Sequence, residues 1–284
     1  MAEKFKVKQE DKLLNFLFST LNGWSKKKIK ERLKSATVAV NDKVTTKHDF
    51  PLNIGDIVEV GVIQKNKNRV ETLKSVEILY QDSDLIAINK PSGLLSVGTT
   101  KETKQHALAL LRNQLSRGKR DVKIFPVHRL DRDTSGILLF ATSKEIREKV
   151  MQKWDESEKI YLAIVEGKPK DEKGTIDQPL RLDEKEYKMH VGQHKFAKRA
   201  VTHYEIKESK PKCSLLEVKL ETGRQHQIRA HLSWLGHAVV GDERYGKKGD
   251  KLGLHARYLK VYHPVKKSFL SFEVDAPTSF YALF

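Results

Sequence analysis

The stretch His128-Arg129-Leu130-Asp131-Arg132-Asp133-Thr134-Ser135-Gly136, followed by Ile137-Leu138-Leu139-Phe140-Ala141, decides how this chain is read. Arg129 to Asp133 holds two guanidiniums and two carboxylates. An apolar strand candidate follows at once. Charge packed against a buried strand is costly unless it pairs or does chemistry. The competing reading is a turn. Asp133, Thr134, Ser135 and Gly136 are all turn formers, and structural ion pairs share this pattern.

Outward from that strand, other strand-like runs dominate. Glu77-Ile78-Leu79-Tyr80, the turn Asp82-Ser83-Asp84 and Leu85-Ile86-Ala87-Ile88 read as a hairpin. Leu216, Val218 and Leu220 alternate with Glu217 and Lys219, which suits a half-exposed strand. Helices are expected over about 104–116, 143–156 and 225–235. Hairpin-linked strands with a few helices to one side predict an α+β fold with a mixed, mainly antiparallel sheet and flanking helices. This larger domain is expected over 76–284.

Residues 11–60 read as a separate small α+β module. Leu13, Leu14, Leu17, Phe18 and Leu21 recur at helical spacing, and Gly23 is expected to end that helix. Ser25 is the expected N-cap of a second helix with Ile29 and Leu33 inward. Its other faces carry Lys26, Lys27, Lys28, Lys30, Arg32 and Lys34. Short strands are expected at Thr37–Val40 and Ile57–Val60, with a turn at Asn41-Asp42. Residues 61–75 are polar and basic and read as a linker.

The net charge of +17 over 284 residues favours a polyanionic partner, RNA or DNA before an anionic membrane surface. No apolar run is long enough to span a membrane, and the N-terminus lacks a signal-peptide core. Cys213 stands alone, so no internal disulfide is expected and a cytoplasmic location is the simplest reading. There is no Cys-x-x-Cys pair, and His226 and His231 are five apart, so no metal is expected. Neither a Gly-x-Gly-x-x-Gly nor a phosphate-loop motif occurs, so no cofactor is expected.

The His128–Gly136 run resembles the signature of the RluA-type pseudouridine synthases, whose catalytic Asp follows His-Arg-Leu. Other motifs of that family recur in order. Asn89-Lys90-Pro91-Ser92-Gly93-Leu94 resembles its Lys-Pro turn, and Tyr161-Leu162-Ala163-Ile164-Val165-Glu166-Gly167 resembles its tyrosine strand. Thr222-Gly223-Arg224-Gln225-His226-Gln227-Ile228-Arg229-Ala230-His231 resembles its arginine motif. Gly241-Asp242, Tyr245-Gly246, Leu254-His255-Ala256 and His263-Pro264 follow. The similarity spans roughly Val76 to the C-terminus. The module at 11–60 resembles the small alpha-L RNA-binding domain of a ribosomal protein, with Ala36 where glycine is usual and Asn-Asp where Asn-Gly is usual.

The resemblance implies the pseudouridine synthase fold and the isomerisation of uridine in structured RNA, without cofactor. Ribosomal RNA is the favoured partner and transfer RNA the other; the chain is expected to be a monomer. Asp131 is implied as the central carboxylate, acting as nucleophile on base or sugar, or as a base. Arg229 is implied as its partner, and it borders the buried stripe Ile228, Leu232 and Leu235. Tyr161 is implied to stack on the target base and to take a proton from C5; otherwise it is a core aromatic of its strand. A base must leave its stack to react, so His128 and Arg129 are candidates to fill the gap. Lys90 and Arg224 are candidate phosphate contacts, as are Lys26, Lys27 and Lys30, each against a solvated-surface alternative. Two other functions compete: a non-catalytic RNA-binding or ribosome-assembly factor, and more remotely an RNA or nucleoside hydrolase. Asp131, Tyr161 and Arg229 lie 30 and 68 residues apart, so one site requires folding to bring the Asp131–Arg229 pair within roughly 4 Å.

Overall fold

The computed structural model describes residues 3–34, 37–41, 43–61, 75–100, 102–116 and 122–284. The chain divides into two compact units, Met1–Thr72 and Leu73–Phe284. The expected linker at 61–75, the Ala36 position and Asp42 fall largely or wholly outside the described residues.

In the small unit, helices Leu13–Thr20 and Lys26–Lys34 share a core with Val38, Val40, Val58 and Val60. Leu13, Leu17, Ile29 and Leu33 are the buried helical positions, one per turn. The first helix stops at Thr20, ahead of Gly23, because Leu21 leaves the helical backbone with φ −94° and ψ 59°. The Ser25 hydroxyl accepts from Lys28 N–H at 3.3 Å and so caps the second helix. The unit reaches back beyond residue 11: strand Glu3–Lys6 pairs with Ile57–Val60.

The large unit is built on a twisted sheet. Its strands run in the order 173–177, 201–209, 213–220, 158–166, 254–263, 135–141, 85–90 and 77–81. Among the described strand-to-strand pairings of this sheet only 135–141 with 254–263 is parallel. The sheet is therefore mixed and mainly antiparallel.

Strand Ser135–Ala141 is buried at every position. Leu138 and Phe140 face Leu110 and Leu111 of helix Ala107–Ser116. Ile137, Leu139 and Ala141 face Ile146 and Val150 of helix Lys144–Gln152. Helices therefore cover both faces here, where the sequence pattern predicts cover on one side. A strand apolar at successive positions needs cover on both faces. Each such side chain contributes roughly 1.5–3 kcal/mol by leaving water.

Gly136 opens this strand with φ +110°, and an added Cβ would lie 2.2 Å from Ala256 O. Gly136 pairs with Ala256, which pairs on its other side with Tyr161. Three neighbouring strands thus set the Asp131 loop and Tyr161 one strand apart.

The hairpin 77–81/85–90 forms as expected. Its turn is tied to the end of strand 254–263: the Asp82 carboxylate takes the Tyr80 hydroxyl, His263 Nε2 at 3.0 Å and Lys266 Nζ at 2.9 Å. Asp84 lies beside them, and the lysine ammonium occupies the side of Asp82 that a cation would need. Among the described residues no helix is long and apolar enough to cross a membrane.

Candidate active site

The loop that carries Asp131 is clamped from behind. Leu130 O accepts the Ser96 hydroxyl at 2.6 Å, and the same oxygen of Ser96 accepts Leu130 N–H at 3.0 Å. Asp133 O accepts the Ser92 hydroxyl at 2.8 Å. Lys90 Nζ donates to Arg132 O, Pro91 O and Leu94 O at 2.9, 2.9 and 2.7 Å. Segment 90–96 therefore fixes the backbone that carries Asp131.

This corrects the expectation for Lys90. Its side chain is fully buried, so it is neither a phosphate contact nor a solvated surface group. Burial pulls its pKa down to about 7, against the opposing charges of Asp133 and Asp131. Three carbonyls take all three N–H bonds of the ammonium.

Asp131 lies in a turn, with Thr134 N–H reaching Asp131 O at 3.3 Å. The turn reading and the catalytic reading are therefore compatible. The carboxylate points inward: Arg229 Nη1 donates to Asp131 Oδ2 at 2.9 Å. Arg229 also makes two parallel bonds to Asp242, Nε to Oδ2 at 2.7 Å and Nη2 to Oδ1 at 2.8 Å. One guanidinium thus holds two carboxylates. The side chains of Asp131, Arg229 and Asp242 are 26%, 12% and 0% exposed, so the network is largely shielded from solvent while Asp131 keeps one open edge. Burial works against the Arg229 charge, but the two carboxylates outweigh it and raise its pKa.

Asp242 is itself fixed by the N–H groups of Arg244 and Tyr245, at 3.0 and 3.1 Å. His226 Nε2 lies 3.8 Å from Asp131 Oδ1, and His226 Nδ1 lies 3.1 Å from the Tyr245 hydroxyl. Burial lowers the His226 pKa, with Asp131 acting the other way. The roles of Asp242 and His226 were missed in the sequence. The signal available was that both sit inside recognised motifs, an Asp after Gly241 and a His three residues before Arg229.

Tyr161 packs partly buried between the two apolar clusters that meet under the site. Burial raises its pKa, and the nearby Asp131 charge raises it further. Its hydroxyl therefore stays protonated at neutral pH. That state suits a stacking ring.

His128 is half-buried beside the Asp131 loop. Its Nε2 accepts Leu139 N–H at 3.2 Å, and its ring lies 5.3 Å from that of Trp154. Burial, helped by the Lys159 charge, pushes its pKa down to about 4. One ring nitrogen of His128 is thus committed to the backbone, while the ring stays half-buried. Arg129 is exposed beside it. Arg224 is also exposed and spends its Nε–H on Arg199 O at 3.0 Å. In the small unit Lys26, Lys27 and Lys30 are exposed on one helix.

The family described as RNA pseudouridylate synthase matches residues 84–234. The chain is 32% identical over 279 residues to ribosomal large subunit pseudouridine synthase D of Vibrio cholerae, covering 89% of this chain and 84% of that protein. It is 38% identical over 215 residues to tRNA pseudouridine synthase C of Haemophilus ducreyi, covering 66% and 86%. Human RNA pseudouridylate synthase domain containing 4 shares the fold with a TM-score of 0.60 at 28% identity, over 73% of this chain and 91% of that structure.

Proposed function

Because the chain belongs to the RNA pseudouridylate synthase family and isomerises uridine in RNA, we propose that Asp131 carries the reaction and that ribosomal RNA is the substrate. The reaction breaks the C1′–N1 bond, turns the base, joins C5 to C1′ and moves the C5 proton to N1. Atoms balance without an added reagent. The observation that carries the assignment is the 2.9 Å bond from Arg229 to Asp131, with Arg229 anchored on buried Asp242. It supplies a fixed cationic partner to a partly shielded carboxylate. Three roles fit that carboxylate: attack on the base, attack on the sugar, or base at the sugar. Tyr161 stacks on the displaced uracil, letting it turn in its plane. Arg129, exposed next to the loop, takes the place or the phosphate of the displaced nucleotide.

The ribosomal reading rests on coverage. The likeness to the ribosomal enzyme of Vibrio cholerae extends over 89% of this chain, whereas the likeness to the transfer-RNA enzyme extends over 66%. The small N-terminal unit, read as an alpha-L RNA-binding domain, then adds affinity through Lys26, Lys27 and Lys30. Transfer RNA is the second reading, favoured by the 38% identity to the transfer-RNA enzyme. We place the enzyme in the cytoplasm as a monomer. Pseudouridine mapping of cellular RNA with and without the gene tests the substrate. Loss of one or more ribosomal sites is expected; loss confined to transfer RNA overturns the ribosomal reading.

A further inference from the structure

A small hairpin stands beside the site, outside the main sheet. Strands Leu180–Asp183 and Lys188–Val191 pair with each other, and residues 184–187 form its loop. Tyr187 ends that loop with φ +50°, a conformation that favours glycine and asparagine. A tyrosine there is strained, and such strain persists where the surroundings impose it.

The surroundings do impose it. Asp183 Oδ1 accepts the N–H groups of Lys185 and Glu186 at 3.0 and 3.3 Å. Arg244 Nη1 donates to Glu186 O and Tyr187 O, and its guanidinium lies 5.7 Å from the Tyr187 ring centre. Met189 N–H donates to the Tyr245 hydroxyl at 2.8 Å, and Met189 packs with Leu180, Ala230 and Tyr245. The hairpin is thus fixed to the helix that carries Arg229.

What this framework holds is an exposed ring. Tyr187 is 56% exposed, and among the described residues its hydroxyl has no hydrogen-bond partner. Its ring meets His226 edge-on at 6.3 Å, and His226 is the residue 3.8 Å from Asp131. A large aromatic in a strained conformation thus stands open to water, one residue removed from the Asp131 carboxylate.

We propose that Tyr187 is the stacking platform for the base adjacent to the target uridine, a positioning residue for the RNA strand. Every base offers a flat face, so such a platform fixes register beside the displaced nucleotide without reading its identity. Arg244, behind the ring and exposed, supplies charge toward the phosphate of the same nucleotide. The inference rests on the uridine-isomerising function of the chain.

The test uses the full chain and total RNA from cells lacking the gene. Tyr187→Asn removes the ring while tolerating the positive φ; Tyr187→Phe keeps the ring and drops the hydroxyl. Loss of one stacked base corresponds to a roughly 5- to 150-fold fall in affinity. Tyr187→Asn is expected to lower kcat/KM by a factor in that range, with the loss on KM, and Tyr187→Phe to restore it to within about 3-fold. Tyr187→Asn matching the parent chain, or Tyr187→Phe failing as badly as Tyr187→Asn, overturns the proposal. Ultraviolet crosslinking gives a second reading: a nucleotide adduct on the Tyr187 peptide supports it, and adducts only elsewhere overturn it. If the unaltered chain makes no pseudouridine in any RNA, the function itself falls, which is a different result.

Discussion

Two carboxylates share Arg229, and replacing each by its amide should give opposite signatures. In Asp242→Asn the amide oxygen can keep the place of Oδ1, which receives Arg229 Nη2 and the N–H groups of Arg244 and Tyr245. The amide nitrogen then replaces Oδ2 and confronts Arg229 Nε at 2.7 Å, donor against donor. A charge-assisted bond worth roughly 1.5–3 kcal/mol is lost and a buried donor is left over. Breaking a fully buried pair costs about 3–5 kcal/mol, but Asp131 still balances part of the Arg229 charge. The expected destabilisation is therefore about 3 kcal/mol, or a Tm lower by roughly 6–12 °C for a unit of this size. Arg229 also loses its anchor, and a displacement of its guanidinium slows turnover on the order of 100-fold. In Asp131→Asn one bond at a partly open site weakens, so stability stays within about 1 kcal/mol while turnover is abolished. Urea unfolding with pseudouridine formation by mass spectrometry measures both. Equal destabilisation by the two variants, or an Asp242→Asn chain as stable as the parent, would show that Asp242 does not hold the arginine in place.

The remaining expectations concern the clamp, the strand and the small unit. Lys90 has a folded pKa of about 7 against an ordinary 10.5, so between those values the unfolded chain binds more protons. Its contribution to stability is fully present above about pH 10.5 and is lost as pH falls to about 7; relative to Lys90→Met, the parent chain should gain stability from pH 7 to 9, and parallel pH profiles count against the burial effect. Lys90→Met should also loosen the Asp131 loop, because three carbonyls lose their donor at roughly 1–3 kcal/mol for each one left unsatisfied; an unchanged urea midpoint contradicts this. Gly136→Ala places a methyl 2.2 Å from Ala256 O at φ +110° and should lower stability by at least about 2 kcal/mol; a neutral midpoint contradicts the tight approach. Removing Met1–Thr72 should leave a folded catalytic unit whose log affinity for RNA falls less steeply with log salt, by about 0.7–0.9 for each phosphate that the small unit had neutralised. An identical salt slope means that Lys26, Lys27 and Lys30 face only water.

What could be read in the sequence was what is local or carried by a motif. The hairpin 77–81/85–90 announces itself by two apolar runs around an Asp-rich turn, and strand 135–141 by seven positions without a charge. The convergence of Asp131 and Arg229 was reached only through resemblance, since nothing local joins residues 98 apart. The misreading of Lys90 has a cause that also bears on His128. Lys90 and His128 are polar residues next to turns, and a polar residue at a turn is ordinarily exposed. Lys90 is fully buried and His128 half-buried because backbone outside their own turns meets them: Arg132 O reaches the lysine across 42 residues, and Leu139 N–H reaches the histidine from the neighbouring strand. A long side chain can satisfy backbone groups that no sequence window contains. Asp242 differs: the N–H groups of Arg244 and Tyr245 hold it locally, and only Arg229 reaches it from another element. The electrostatics of the site are therefore a property of the sheet order, which fixes which loops meet. Residue type alone fixes only which loops are able to react when they do.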